Sequence, residues 1–222
     1  MSSELVVYGA SGFGQQVMFW VEDAVAADPR YEIAGYVDDD PATHGAERSG
    51  YPVLGDREWL TARAAELRLE ERALAVVLSF GFPEVRRAAH ARLADIALEY
   101  PAVVHPSAVV SRHARLAPGA VVGPGSIVGV QVRIEELALV ATNCTVGHEA
   151  LLGRYSVLLP GVNVSGRVAL GEGTSVGTGA GITQGVAIGA GTTVGAGATV
   201  VDDLPGGCVA VGTPARPREP ER

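Results

Sequence analysis

Cysteine is nearly absent from this chain: there are two among 222 residues, Cys144 and Cys208. Two thiols make neither a disulfide framework nor a zinc cluster, so the reading is a pair of ordinary thiols in a reduced compartment. Positive charge is also in deficit. The formal net charge is −8, which argues against nucleic acid or an anionic membrane as a partner, since both call for a basic field. No uninterrupted apolar run is long enough to span a bilayer, so no membrane insertion is expected. The opening MSSELVVYGASGFG has no basic segment followed by a long apolar one and is not read as a signal peptide. Together these absences point to a soluble cytoplasmic protein. Aromatic residues are scarce and lopsided: beyond Tyr100 only Tyr155 is found. That asymmetry divides the chain near Tyr100-Pro101.

The first part, 1–100, alternates short apolar strands with helical patterns. Leu5–Tyr8 reads as a strand, followed by Gly9, Gly12 and Gly14 and a helix from Phe13 to about Ala27. Ile33–Val37 is a second strand, ending in Asp38-Asp39-Asp40. Asp56 is placed to cap a helix through Ala65, Ala75–Leu78 is a third strand, and Glu84–Ala94 a further helix. This alternation predicts a small α/β Rossmann-like domain with a mostly parallel sheet. The glycine-rich turn between strand and helix offers amides and a helix N-terminus to a phosphate, and Asp38 or Asp39 lies within reach of a ribose or base.

The second part, 101–206, is written in hexads. Starting at Val104 and stepping by six, all seventeen positions through Val200 are Val, Leu or Ile. Four residues after each, the position is usually small, as at Ala108, Ser126, Ala138, Cys144 and Thr174. A strict six-residue period predicts a parallel β-helix, in which three hexads close one triangular coil and aliphatic side chains fill the interior. At a strand spacing of about 4.8 Å, nearly six coils make a prism about 27 Å tall. The period also predicts contacts: positions three hexads apart lie on top of one another. The segment GGCVAVGTPARP breaks the rhythm, so 207–222 is expected to cap the prism, with Arg218–Arg222 an unstructured tail.

Against this repetitive background His148 stands out. Two positions after inward Val146, it is expected to face outward. Glu149 adjoins it, Gly166 falls one full coil later and Val130 one full coil earlier. A base beside a bare backbone suits acyl transfer. His105 and His113 belong to the first coil and are read as structural; His44 and His90 carry no constellation. A zinc site would need closely placed histidines, and His148 is alone in mid-prism. Hydride transfer at the glycine-rich turn would leave the β-helix without a role. Cys144 falls on an inward small position and is read as core.

The segments GASGFGQQV, GYVDDDP, VLGD, VHPSAVV, VGHEALLG, LPGVNVSG and VAVGTPAR resemble the hexapeptide-repeat sugar acyltransferases. Within that superfamily the chain is similar to bacterial N-acetyltransferases of nucleotide-linked 4-amino sugars and to sialic acid O-acetyltransferase relatives, enzymes of polysaccharide biosynthesis. The resemblance implies a left-handed β-helix, a homotrimer with sites at subunit interfaces, and acetyl-coenzyme A as acyl donor in the groove between prisms, without a metal. It implies that His148 is the general base, Glu149 its partner and the Gly166 amide the donor to the thioester carbonyl. The nucleotide falls near Gly9, Ser11, Gly12 and Asp38, and the coenzyme near Gly166, Gly185, Ala196 and Arg216. Two departures stand out: Ala141-Thr142 replaces a frequent Asn-Thr pair, and Val157 replaces a frequent second histidine. The segment SFGFPEVRR also departs from the usual Gly-Asp-Asn form. A hydroxyl acceptor and a noncatalytic β-helix binding module stand as alternatives to the amine acceptor.

Overall fold

A computed structural model describes residues 3–218; the tail from 219 on lies outside the described residues. The chain divides into two compact units, Met1–Phe80 with Val85–Val103, and Gly81–Glu84 with Val104–Arg222.

The first unit is built on four parallel strands in the order β2-β1-β5-β6, namely β1 (Ser3–Tyr8), β2 (Tyr31–Val37), β5 (Leu74–Leu78) and β6 (Leu98–Glu99). Two short strands, β3 (Glu47–Arg48) and β4 (Tyr51–Pro52), form a separate antiparallel hairpin. The central strands are buried along nearly their whole length, as a parallel sheet covered on both faces requires. Helix α1 (Gly12–Ala27) buries Gly14, Val17, Met18 and Val21, a stripe at helical spacing. Helix α2 (Arg57–Leu69) starts as expected, with Asp56 accepting the Glu58 amide at 2.8 Å. It runs one turn beyond Ala65 because Leu60, Ala64 and Leu67 continue one buried stripe. Helix α3 spans Pro83–Arg92.

The second unit is a triangular prism of two-residue strands on three faces, consistent with the expected left-handed β-helix. Pairing is parallel and links each coil to the next: Val128 pairs with Val146, Val146 with Val164, and Val164 with Ile182. The aliphatic hexad positions from Val122 to Val200 are buried and form one continuous core. The small positions lie beside them, including Ala138, Cys144 and Ala180. Val132, Val162, Val168 and Val186 occupy the same small sites and are buried as well. The rhythm breaks after Val200, where the closing coil is shorter: Thr193 pairs with Val209, although the period calls for Val211. A last antiparallel pairing sets Val211 against Arg216. Arg218 is not loose, since its amide donates to the Val209 carbonyl at 2.7 Å.

Candidate active site

The strand Thr145–Val146 ends in a corner whose two turn residues are His148 and Glu149. Glu149 takes a left-handed backbone, φ 59°, as do Gln131 and Arg167 at the same corner one coil before and after. The conformation therefore belongs to the prism edge and is not a strain particular to this site. Its consequence is local: the carboxylate turns back, and Glu149 Oε2 lies 2.9 Å from His148 Nδ1. Both side chains are about half exposed (45% and 48%), so solvent screens the charge attraction. The contact chiefly orients the ring. With Nδ1–H donating to the carboxylate, Nε2 holds the lone pair.

One coil on, Gly166 lies beneath that ring. A Cβ there would fall 2.4 Å from Nε2, 2.6 Å from Cε1 and 2.9 Å from Cδ2. Glycine is needed here for the ring's space, since no left-handed φ is involved. The Arg167 amide donates to the His148 carbonyl at 2.8 Å, and the Gly166 carbonyl accepts from Gly185 N at 3.0 Å. Gly166 is buried, yet its own N–H donates to no group among the described residues. A buried amide of this kind calls for an acceptor. A lone-pair nitrogen and an uncommitted N–H thus lie side by side, one suited to take a proton and the other to receive an oxyanion.

Of the positions expected to hold the coenzyme, Gly166 and Gly185 stand on the His148 edge. Gly185 has φ 80° and open space where a Cβ would be. Arg216 reaches the same edge from the C-terminal cap, its Nη1 2.9 Å from Asp202 Oδ2. Ala196 does not join them. It follows the strand Thr193–Val194, on another face, and therefore occupies a different edge of the prism.

In the first unit, Gly9 has φ 112°, and a Cβ on it would meet Ser79 Oγ at 2.6 Å. Gly14 lets α1 approach the preceding turn, where a Cβ would be 2.0 Å from the Gly9 carbonyl oxygen. Gly12 faces open space. Ser11 is the N-cap residue of α1, but its hydroxyl makes no capping bond, which leaves both the hydroxyl and the first-turn amides for a ligand. Asp38 ties the turn down: Oδ2 accepts from Ala10 N at 2.7 Å and Oδ1 from Asp40 N at 2.9 Å. Each oxygen retains a further lone pair for a ribose hydroxyl.

Several residues around this turn escaped the sequence reading. Tyr8 donates to Asp39 Oδ2 at 2.7 Å, and Arg92 grips the same carboxylate through both terminal nitrogens. Burial and the neighbouring carboxylate raise the Tyr8 phenol above its ordinary range. Ser79 donates to the Tyr8 and Gly9 carbonyls at 2.7 and 3.0 Å. Arg86 is fully buried and donates to the Leu78 and Phe80 carbonyls; burial pulls its guanidinium down to about 10. No local pattern marks these residues. The SFGFP segment holds its shape through Ser79 and Arg86 instead of the Gly-Asp-Asn form.

His105, His44, His90 and Cys144 are engaged by contacts within the fold. His105 is buried, its Nδ1 receiving the Ser107 amide at 3.1 Å. His44 Nε2 lies 2.8 Å from the Asp38 carbonyl, and His90 packs edge-on against Tyr100. Cys144 is buried, its thiol donating to the Leu159 carbonyl at 3.2 Å, and burial raises its pKa. Ala141 and Val157 are buried and present no polar group. Among the described residues no cluster of three or more histidine, cysteine or acidic side chains could hold a metal, and no helix is long and apolar enough to cross a membrane.

Residues 4–93 match the PglD N-terminal domain family. Across 98% of both chains, the protein is 31% identical to a variant of perosamine N-acetyltransferase from Caulobacter crescentus, whose crystal structure contains CoA and GDP-perosamine, with a TM-score of 0.86. It is likewise 31% identical to the acetyltransferase domain of PglB from Neisseria gonorrhoeae in complex with acetyl coenzyme A, over 98% of this chain and all of that one, with a TM-score of 0.84. WeeI from Acinetobacter baumannii is 26% identical over 98% of this chain and all of that one, with a TM-score of 0.82. No curated protein sequence matches.

Proposed function

Because this chain belongs to the hexapeptide-repeat acyltransferase superfamily, alongside the perosamine and PglB-type N-acetyltransferases, we propose that it transfers an acetyl group from acetyl-coenzyme A to the amine of a nucleotide-linked 4-amino sugar. The observation that carries this reading is the stacking of the His148 ring on Gly166 with Nδ1 held by Glu149. The amine attacks in its unprotonated form. As its nitrogen bonds to the thioester carbon, His148 Nε2 takes the proton that the nitrogen sheds. Glu149 stabilises the imidazolium, and the Gly166 N–H receives the oxyanion. When the carbon–sulfur bond breaks, the imidazolium returns its proton to the departing thiolate, and His148 is restored.

The protein acts in this reading as a cytoplasmic homotrimer. Ala196, on an edge apart from His148, falls outside the His148 edge and is left out of the donor's path along it. Gly9, Ser11, Gly12 and Asp38 hold the nucleotide, while Gly166, Gly185 and Arg216 line the donor's path. The acceptor is an amine because the similar perosamine enzyme is an N-acetyltransferase; a sugar hydroxyl would use the same base.

The test is His148→Ala, assayed for coenzyme A release with acetyl-coenzyme A and a panel of nucleotide-linked 4-amino sugars. Loss of a general base lowers turnover by about 10²–10⁴-fold. A folded variant that turns over like the parent would refute the assignment.

A further inference from the structure

A concavity of ≈ 640 Å³ opens next to the His148 edge, lined by His113, Arg115, Val130, Gln131, Val132 and Arg133. Its wall is continuous with the candidate active site. Val130 and Gln131 are the corner residues one coil before His148 and Glu149, and the Glu149 amide donates to the Val130 carbonyl at 2.9 Å. A smaller hollow of ≈ 260 Å³ shares both arginines.

Arg115 and Arg133 are register partners on adjacent coils. Stacking two like charges in register is unfavourable unless something neutralises them. Several other arginines each hold a carboxylate, among them Arg57, Arg63, Arg72, Arg92, Arg154 and Arg216. Among the described residues neither Arg115 nor Arg133 has a side-chain hydrogen bond or an ion pair. Glu135 lines the smaller hollow without pairing to either. The next positions on this column, Leu151 and Ala169, carry no charge. In a protein of net charge −8, this arginine-lined hollow lies in the coils before His148. The residues expected to meet the coenzyme lie on the opposite side, in the coils after it.

We propose that Arg115 and Arg133, with Gln131 and His113 beside them, form a diphosphate-binding subsite, and that the diphosphate is the one joining sugar to nucleoside in the acceptor. Two guanidinium forks in register suit the several oxygens of a diphosphate, which they can hold bidentately. The spacing agrees with the chemistry. Residues 115 and 133 precede the His148 coil by two coils and one, a rise of about 5–10 Å, and a single sugar ring separates the reacting amine from its diphosphate. The subsite would explain how an acidic chain recruits an anionic acceptor, and it would hold the diphosphate one sugar ring away from Nε2. This inference rests on the acetyl-transfer reading.

The experiment compares the full-length protein with Arg115→Gln, Arg133→Gln and the double variant, measuring coenzyme A release. Losing one charged hydrogen-bonding group raises KM for the nucleotide-linked amino sugar about tenfold or more, while kcat and KM for acetyl-coenzyme A hold. Inorganic pyrophosphate competes with the sugar nucleotide in the parent and fails to do so in the double variant; Arg133→Lys recovers part of the loss. An unchanged acceptor KM overturns the proposal. So does a rise confined to the acetyl-coenzyme A KM, which would give the diphosphate to the donor. A change in assembly mass by light scattering also overturns it, since the arginines would then be interface residues. If the parent acetylates no nucleotide-linked amino sugar, the reaction reading fails on its own. Calorimetric titration with inorganic pyrophosphate then judges the subsite: arginine-dependent binding supports it and its absence sinks it.

Discussion

Replacing Gly166 with alanine tests whether the position of the His148 ring governs catalysis. The added methyl would lie 2.4 Å from Nε2, whereas a comfortable contact is about 3.5 Å, so the ring must withdraw by about 1 Å. It can do so by leaving its rotamer, at a cost of about 0.5–1.5 kcal/mol, or by swinging outward and losing the 2.9 Å contact with Glu149. Displacing a reacting group by about 1 Å lowers rate by about 100-fold. Stability should barely change, because the ring is half exposed and Gly166 has no left-handed φ. The backbone N–H is retained, so any loss is not from a missing oxyanion donor. The assay is steady-state coenzyme A release, with thermal melting alongside. Adding Gly166→Ala to His148→Ala should cost nothing further, since the two changes act through one ring. Wild-type turnover in the single variant, or a second loss of about 100-fold in the double, would refute the reasoning.

Cys144→Ala should retain turnover, because the thiol is buried and bonded to backbone carbonyls; loss of activity in a correctly assembled variant would contradict a purely packing role. Gly14→Ala should destabilise the first unit by about 1–3 kcal/mol or more and abolish nucleotide binding, because its methyl would meet the Gly9 carbonyl oxygen at 2.0 Å; urea denaturation and a nucleotide titration report both. Acid should weaken the same unit. The Glu58 amide holds Asp56, and the Arg57 guanidinium holds Asp95, below the ordinary carboxylate range. Groups with a depressed folded pKa stabilise fully above the unfolded value and lose that contribution as pH falls through the folded one. Melting temperature should therefore be level above the ordinary carboxylate range and decline below it, and Asp95→Asn should remove part of the decline.

Much of the site was legible because a β-helix converts chain separation into spatial contact. Counting three hexads from His148 reaches Gly166, and the two do meet. The same count would have excluded Ala196 from the His148 edge, since their separation is not a whole number of coils. Cys144 was readable as core from its phase in the hexad. The first unit gave up less. Three of its strands and its three helices were legible to within a turn, but β3, β4 and β6 were not read, and Tyr8 meets Asp39, Gly9 meets Ser79 and Arg57 meets Asp95 across separations of 31, 70 and 38 residues. No period relates such pairs.

The sequence by itself determined the prism, its coil-on-coil register, its aliphatic interior and the juxtaposition of His148 with Gly166, because each coil packs only on its neighbours and one repeat dictates the next. The tertiary structure alone decided three other things: the Glu149 carboxylate's turn toward Nδ1, the unpaired state of Arg115 and Arg133, and the bracing of the glycine-rich turn by Asp38, Ser79 and Arg86. Those depend on side-chain direction and on the strand order β2-β1-β5-β6, where neighbours in space are distant in the chain and the contact exists only once the sheet has closed.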